Sequence, residues 1–208
     1  MAANKPADLD ALMACKFAGT ELTVTEQQQE MVLVIGENIK VRRFALYTEG
    51  VSVPYIHAGG KIGVLVNLET SLTAEQVNEA GKDAAMQIAA LNPRFWDKSE
   101  VTQEVLDEEK KIMLAQMAND PKMANKPDQV KEKIVEGKLN KFYSENCLLQ
   151  QEFVKDGDYT VEKYLAKVAK ELGGTITFKT AVRFEKGEGI EKKQENFAEE
   201  IAKQLAGN

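Results

Sequence analysis

The alternation running from Ile176 to Glu185 constrains this chain more than any other feature. Ile176, Phe178, Thr180, Val182 and Phe184 recur at every second residue, while Lys179, Arg183 and Glu185 hold the other phase. Strand side chains point alternately to opposite faces, so the pattern predicts a strand half-buried in an antiparallel sheet. Ile62, Val64, Val66 and Leu68 repeat the same period, and Val51 to His57 is largely β-branched and aromatic. Ala58-Gly59-Gly60 between these two runs tolerates positive φ, which predicts a hairpin. Period two also starts at Lys40, with Phe44 and Leu46 on one face. Gly59-Gly60-Lys61 is not a phosphate loop, because a Walker sequence needs glycine where Tyr55 stands and Ser or Thr where Ile62 stands.

Helical periodicity fills most of the remainder. Glu26 to Ile39 reads as a helix with Thr25 as N-cap and Gln28 completing a capping box. Gly36 inside it serves either close packing of a neighbouring backbone or contact with a partner. Thr73 to Leu91 carries Val77, Ala80, Ala84, Ile88 and Leu91 at helical spacing and stops at Asn92-Pro93. Val101 to Ala118 aligns Val101, Val105 and Ile112, with Leu106, Met113 and Met117 beside them. Asp128 to Tyr143 follows, with Val130, Ile134, Val135, Leu139 and Phe142. Two amphipathic helices joined by a Pro-containing turn make an antiparallel hairpin, and its narrow apolar seam predicts a protruding coiled-coil arm. Thr160 to Leu172 is a further helix stopped at Gly173-Gly174, and Gln194 to Leu205 is the last, with Phe197, Ile201 and Leu205 in line.

The expected fold class is therefore α+β: small antiparallel sheets packed with helices, an inserted antiparallel coiled-coil hairpin and a C-terminal helix. Residues 1–39 form a lead-in and connecting helix, 40–98 and 146–189 the α+β core, 99–145 the arm and 190–208 a C-terminal helical module.

Composition narrows the function. Lys and Arg total 27 against 33 for Asp and Glu, a net charge of −6, which argues against a nucleic-acid footprint. No apolar run reaches a membrane span of roughly 18 residues, and residues 1–10 lack the regions of a secretory signal. A cytoplasmic location is expected. Cys15 and Cys147, the only cysteines, form neither a disulfide framework nor a zinc site and are expected to be reduced thiols. With His57 as the only histidine, a multi-histidine metal site is excluded within one chain. No serine elbow, paired-cysteine motif or His-Glu-x-x-His is present. An enzyme built on His57 is the weakest reading, and no catalytic residue, metal or cofactor is expected.

Several segments resemble bacterial elongation factor Ts, the guanine-nucleotide exchange factor for elongation factor Tu. They are Ile35-Gly36-Glu37-Asn38-Ile39-Lys40-Val41-Arg42-Arg43-Phe44, Tyr55-Ile56-His57 with the glycine turn, Met86 to Pro93, Ile134 to Phe142, and Val182-Arg183-Phe184-Glu185-Lys186-Gly187-Glu188-Gly189-Ile190-Glu191-Lys192. The resemblance runs from about Pro6 to Leu205 in the family's order, and the family's fold agrees with the reading above. It implies that Ile35 and Gly36 meet the nucleotide-binding domain of elongation factor Tu and that His57 lies near the same interface. His57 read by itself could equally cap the hairpin. Phe153 and Val154 match positions that meet the partner's third domain, with core packing as the other reading. Gln204 and Leu205 match the end of a module that reaches the nucleotide-binding domain.

The family's N-terminal three-helix domain and its Thr-Asp-Phe segment, whose aromatic ring wedges into the partner, have no match here. The chain is therefore expected to be a fragment with weakened binding and little exchange. The alternative is a structural module that self-associates as a homodimer, or joins an assembly, through the arm.

Overall fold

The computed structural model describes residues 4–124 and 126–189. Its main core is a sheet with a helix laid across one face. Strands β1 (Val51–His57), β2 (Ile62–Thr70) and β5 (Ile176–Glu185) form a three-stranded antiparallel sheet in the order β1-β2-β5. The predicted hairpin is present: His57 pairs with Ile62 across a tight turn at Ala58–Gly60, where Ala58, Gly59 and Gly60 all take positive φ.

The alternation along β5 is not uninterrupted. Asn67 pairs with Thr180 but Leu68 pairs with Phe178, so Lys179 has no opposite number in the ladder. A bulge of this kind reverses the phase of every residue beyond it. Ile176 and Phe178 face the core, as expected, but Ala181 replaces Val182 there and is buried. Thr180, Val182 and Phe184 turn to the sheet's other face. Segment 37–48 runs there without forming the strand expected from Phe44 and Leu46. Side chains hold it instead. Arg43 lies over the Phe184 ring at 4.4 Å, Tyr47 bonds to Thr180, and Asn67 Nδ2 donates to the Glu49 carbonyl at 2.8 Å.

Helix α1 (Leu9–Ala14) and helix α2 (Val24–Ile35) precede this segment. The capping box of α2 is built by Thr23 and Glu26, not by Thr25 and Gln28. Thr25 donates its hydroxyl to the Met13 carbonyl and ties α2 to α1. Gln28 reaches the Ile39 carbonyl at 2.8 Å. The helix ends four residues before the expected Ile39, because Gly36 adopts φ 77° as a left-handed cap and its N–H bonds the Val32 carbonyl. A Cβ at Gly36 would meet nothing within 4 Å, so close packing is not what requires glycine there.

Helix α3 (Ala74–Leu91) starts at a Thr73–Gln76 capping box and ends at Asn92 in the left-handed region, just before Pro93. Val77, Ala80, Ala84, Ala85 and Ile88 are buried against β1 and β2, whereas Leu91, expected in this stripe, is exposed. A three-residue helical turn at Lys98–Glu100 leads into the hairpin. Helices α4 (Gln103–Asn119) and α6 (Asp128–Asn146) are joined through the short α5 (Pro121–Ala124). They run antiparallel: Met113 and Phe142 line one crevice near the base, and Leu114, Val135 and Leu139 line another further out. A second core of Val101, Phe142 and Cys147 seals the base, while Ile112, expected in the seam, is exposed. Beyond α6, β3 (Glu152–Phe153) and β4 (Asp156–Thr160) form a small hairpin, and α7 (Val161–Glu171) packs on β5.

The α+β class is thus observed, with two antiparallel sheets among the described residues and an inserted helical hairpin. The last expected helix, Gln194 to Leu205, lies outside the described residues. No helix among the described residues is long and apolar enough to cross a membrane.

Two helical glycines predict opposite responses to alanine. A Cβ at Gly81 of α3 would stand 2.5 Å from Val53 Cγ2 and 2.8 Å from Val53 Cβ, whereas one at Gly137 of α6 would meet nothing within 4 Å. Gly137→Ala should stabilise the fold by about 0.5–1 kcal/mol through helix propensity. Gly81→Ala gains the same propensity but overpacks a stiff β-branched neighbour, at a cost of about 1–3 kcal/mol. Urea denaturation should show Gly137→Ala more stable than the parent and Gly81→Ala less stable.

Candidate functional site

One face of α3 carries polar residues into an apolar interior. Asp83 and Gln87, a helical turn apart, are both buried, the latter completely. Buried polar groups are tolerated when their hydrogen bonds are made, and both make theirs to the β3–β4 hairpin and the residues flanking it. Asp83 Oδ1 accepts from Lys155 Nζ at 2.5 Å, and Oδ2 accepts from the Tyr164 hydroxyl at 2.5 Å. Gln87 Nε2 donates to the Glu152 carbonyl at 3.0 Å and to Gln151 Oε1 at 3.2 Å. Gln87 Oε1 accepts from the Val154 N–H at 2.9 Å. Gln151, buried in turn, donates to the Glu145 carbonyl at the end of α6.

Electrostatics follows this geometry. The Lys155 ammonium is held above the usual lysine range, first by its hydrogen bond to Asp83. After a partial offset from burial, the charges of Asp83, Glu79 and Tyr55 add to the rise. Burial, then the hydrogen bond given to Asp83, pushes the Tyr164 hydroxyl well above the usual phenol range. Tyr55 on β1 shares a hydrogen bond with His57 Nδ1 at 3.0 Å. Tyr55 is thus linked to His57 on β1 by a hydrogen bond and acts on Lys155 through its charge.

The structure treats the expected contact residues differently. Phe153 is only 4% exposed and stacks on Tyr164 at 4.1 Å between ring centroids, whereas the next residue, Val154, is 46% exposed at the hairpin tip. Phe153 ends β3 and anchors on Tyr164, whereas Val154 belongs to the turn that follows and is displayed. His57 is half-buried and makes no side-chain cap at the turn that follows it. Its ring is spent on Tyr55. Ile35 is 53% exposed at the end of α2, beside the left-handed Gly36. No hydrogen bond among the described residues joins this helix end to the Tyr55–Lys155 cluster. Gln204 and Leu205 lie outside the described residues.

Sequence reasoning missed other residues of these surfaces. Leu33 and Val34 are 83% and 86% exposed next to Ile35. Asp83 and Gln87 carried a usable signal, being polar residues four apart within a run of alanines that also holds Ile88 on the buried stripe. Among the described residues no group of three or more His, Cys, Asp or Glu is placed to hold a metal ion.

Fold and surface together define an α+β protein with an inserted helical arm and apolar residues presented from a helix end and a clamped hairpin tip. The family model described as "Elongation factor TS" matches residues 1–188. The chain is 45% identical over 202 residues to elongation factor Ts of Syntrophotalea carbinolica, an alignment covering 96% of this chain and 65% of that protein. It is 47% identical over 187 residues to that of Clostridium kluyveri, covering 89% and 60% respectively. For Clostridium tetani the figures are 45% over 208 residues, 98% and 67%. The chain belongs to the elongation factor Ts family, and it spans roughly two thirds or less of the length of these relatives.

The two cysteines should differ sharply in reactivity. Burial, followed by the nearby charges of Asp97 and Glu100, pushes the Cys147 thiol up from 9.0 to about 11. Cys15 is half-buried and donates to the Ala11 carbonyl at 3.1 Å. An aromatic disulfide reagent at pH 8 should titrate Cys15 in the native protein, while Cys147 should react only on unfolding. A thiol whose folded pKa is raised favours the fold while it is neutral. That contribution is complete below the ordinary pKa of 9.0 and is lost as pH climbs towards about 11. Equal native reactivity of the two thiols would contradict the burial of Cys147.

Proposed function

We propose that this chain acts in translation elongation in the cytoplasm by binding elongation factor Tu and promoting release of GDP. The observation that carries the reading is the end of α2, where Leu33, Val34 and Ile35 stand exposed in succession before the left-handed Gly36. Single exposed apolar residues are ordinary, but a contiguous large apolar patch marks an interaction surface. The resemblance and the family membership both support elongation factor Tu as the partner. On this reading Ile35 and Gly36 face its nucleotide-binding domain with His57 nearby. Val154, supported from beneath by Phe153, faces its third domain, and Gln204 and Leu205 make a further contact.

The mechanism needs no catalytic group. A factor that binds the nucleotide-free partner more tightly than the nucleotide-bound partner weakens nucleotide binding by the same factor. About 1.4 kcal/mol of such preference corresponds to tenfold. The 208 residues contain no Thr-Asp-Phe sequence, so weakened binding and slow GDP release are expected of them, relative to relatives that carry this wedge.

A homodimer through the arm is a second reading, favoured by exposed Ile112 and Leu114 on α4 and Val130 on α6. Sedimentation separates the two: a dimer lost on deleting residues 101–143 supports self-association, and a monomer at high concentration removes it.

Side chains as exposed as Leu33 and Val34 contribute little to the fold, so their replacement should leave stability within about 0.5 kcal/mol. Calorimetric titration with nucleotide-free elongation factor Tu should show the Leu33→Ser, Val34→Ser double variant binding at least about tenfold more weakly, as loss of a central apolar contact predicts. Unchanged affinity would remove α2 from the interface. No measurable binding by the parent chain would overturn the proposed partner.

A further inference from the structure

The exposed hairpin tip has no rigidity of its own. β3 is two residues long and its pairing with β4 is irregular, Glu152 matching Thr160 while Phe153 matches Asp156. Such a short ladder is marginal in water. Its shape comes from α3. Gln87 holds the backbone on both sides of Phe153, through the Glu152 carbonyl at 3.0 Å and the Val154 N–H at 2.9 Å. Asp83, one turn earlier, holds the Lys155 side chain at 2.5 Å. It also accepts from Tyr164, whose ring forms the floor on which Phe153 stacks. Every residue from Glu152 to Lys155 is thus fixed directly or through Tyr164 by two side chains of one helix face.

We propose that Gln87 and Asp83 are positioning residues for partner docking, which pre-shape the Val154–Lys155 tip without touching the partner themselves. The inference rests on the reading of Val154 as a partner contact. A loop already held in its bound shape avoids the ordering cost of association. The amide of Gln87 suits the task because it donates to one backbone group and accepts from another at the same time. Neither a carboxylate nor a methionine side chain does both. Asp83 adds a charged anchor that the tip reaches directly through Lys155 and indirectly through Tyr164.

The test is a double-mutant cycle on binding to nucleotide-free elongation factor Tu, using the full chain. Gln87→Met keeps the volume and removes both backbone bonds. It should weaken binding about five- to tenfold, as loss of a contact's geometry predicts. It should also speed hydrogen exchange of the Val154 amide while the β1-β2-β5 sheet amides stay protected. In a Val154→Ala background its further effect should fall below about twofold, because residues acting through one contact are not additive. Lys155→Met keeps the Tyr164 bond to Asp83 but removes its charged partner; it should reproduce a smaller part of the loss and serves if Gln87→Met fails to fold.

Additive effects of Gln87→Met and Val154→Ala, or full affinity with a freely exchanging Val154 amide, would overturn the positioning role. If Val154→Ala and Lys155→Met both bind with parental affinity, the docking reading of the tip fails and the inference falls with it. The two failures are distinguishable, because Val154→Ala weakens binding in the first and not in the second.

Discussion

The contact between Gly81 of α3 and Val53 of β1 sets the spacing on which the main core depends. With no Cβ at Gly81 the helix backbone settles onto the valine, and Ala80, Ala84 and Ala85 extend this close approach along the helix. Small residues bring the backbones together, and larger ones on β2, Val64, Val66 and Leu68, fill the layer. Interiors packed at crystal-like density transmit a displacement rather than absorb it. The same helix reaches the β3–β4 hairpin through Asp83 and Gln87. Its height above the sheet therefore also fixes where Val154 stands.

Element type was largely legible in the residues, and phase was not. The β1–β2 hairpin, α3, the helical arm and α7 all follow from periodicity and turn chemistry. The bulge at Lys179 was invisible, because an unbroken run of alternating residues looks the same whether or not the partner strand slips by one. Only β2 decides that, by pairing Leu68 with Phe178 instead of Lys179. Segment 37–48 misled for a related reason. The segment does meet a sheet, but it lies against the face and is held by the side chains of Arg43 and Tyr47 instead of pairing with an edge strand. At α2 two threonines competed for the cap. Thr23 won because Glu26 sits three residues later and can return the hydrogen bond, whereas Thr25 is drawn to the Met13 carbonyl.

The candidate surfaces were legible only as family positions. Periodicity cannot tell that Phe153 is buried while Val154 is displayed, since a two-residue strand has no period to read. It likewise offers no reason for Leu33 and Val34 to stand in solvent, because their neighbours Val32 and Ile35 make the whole run look like core. Asp83 and Gln87 are the informative case. A polar residue in an apolar stripe is costly unless satisfied, with a buried, unpaired group costing about 1–3 kcal/mol. Its presence announces a partner whose identity lies elsewhere in the chain, here some 64 to 81 positions away.

That long reach bears on how an exchange factor would work. Its differential affinity for two forms of a partner becomes strain in the partner only if the factor does not deform first. The end of α2 is stiffened by its own helix and by the Gly36 cap, and residues beyond the cap are tied back through Gln28. The hairpin tip has no helix of its own, so its stiffness is borrowed from α3 through buried hydrogen bonds. These bonds are worth more away from water, and an incomplete set would be worse than none. Buried polar atoms left without partners in the described residues include Gln28 Oε1 and Arg183 Nε, and neither belongs to the clamp. A fully satisfied network beneath an exposed valine is what a surface needs if binding is to move the partner and not itself.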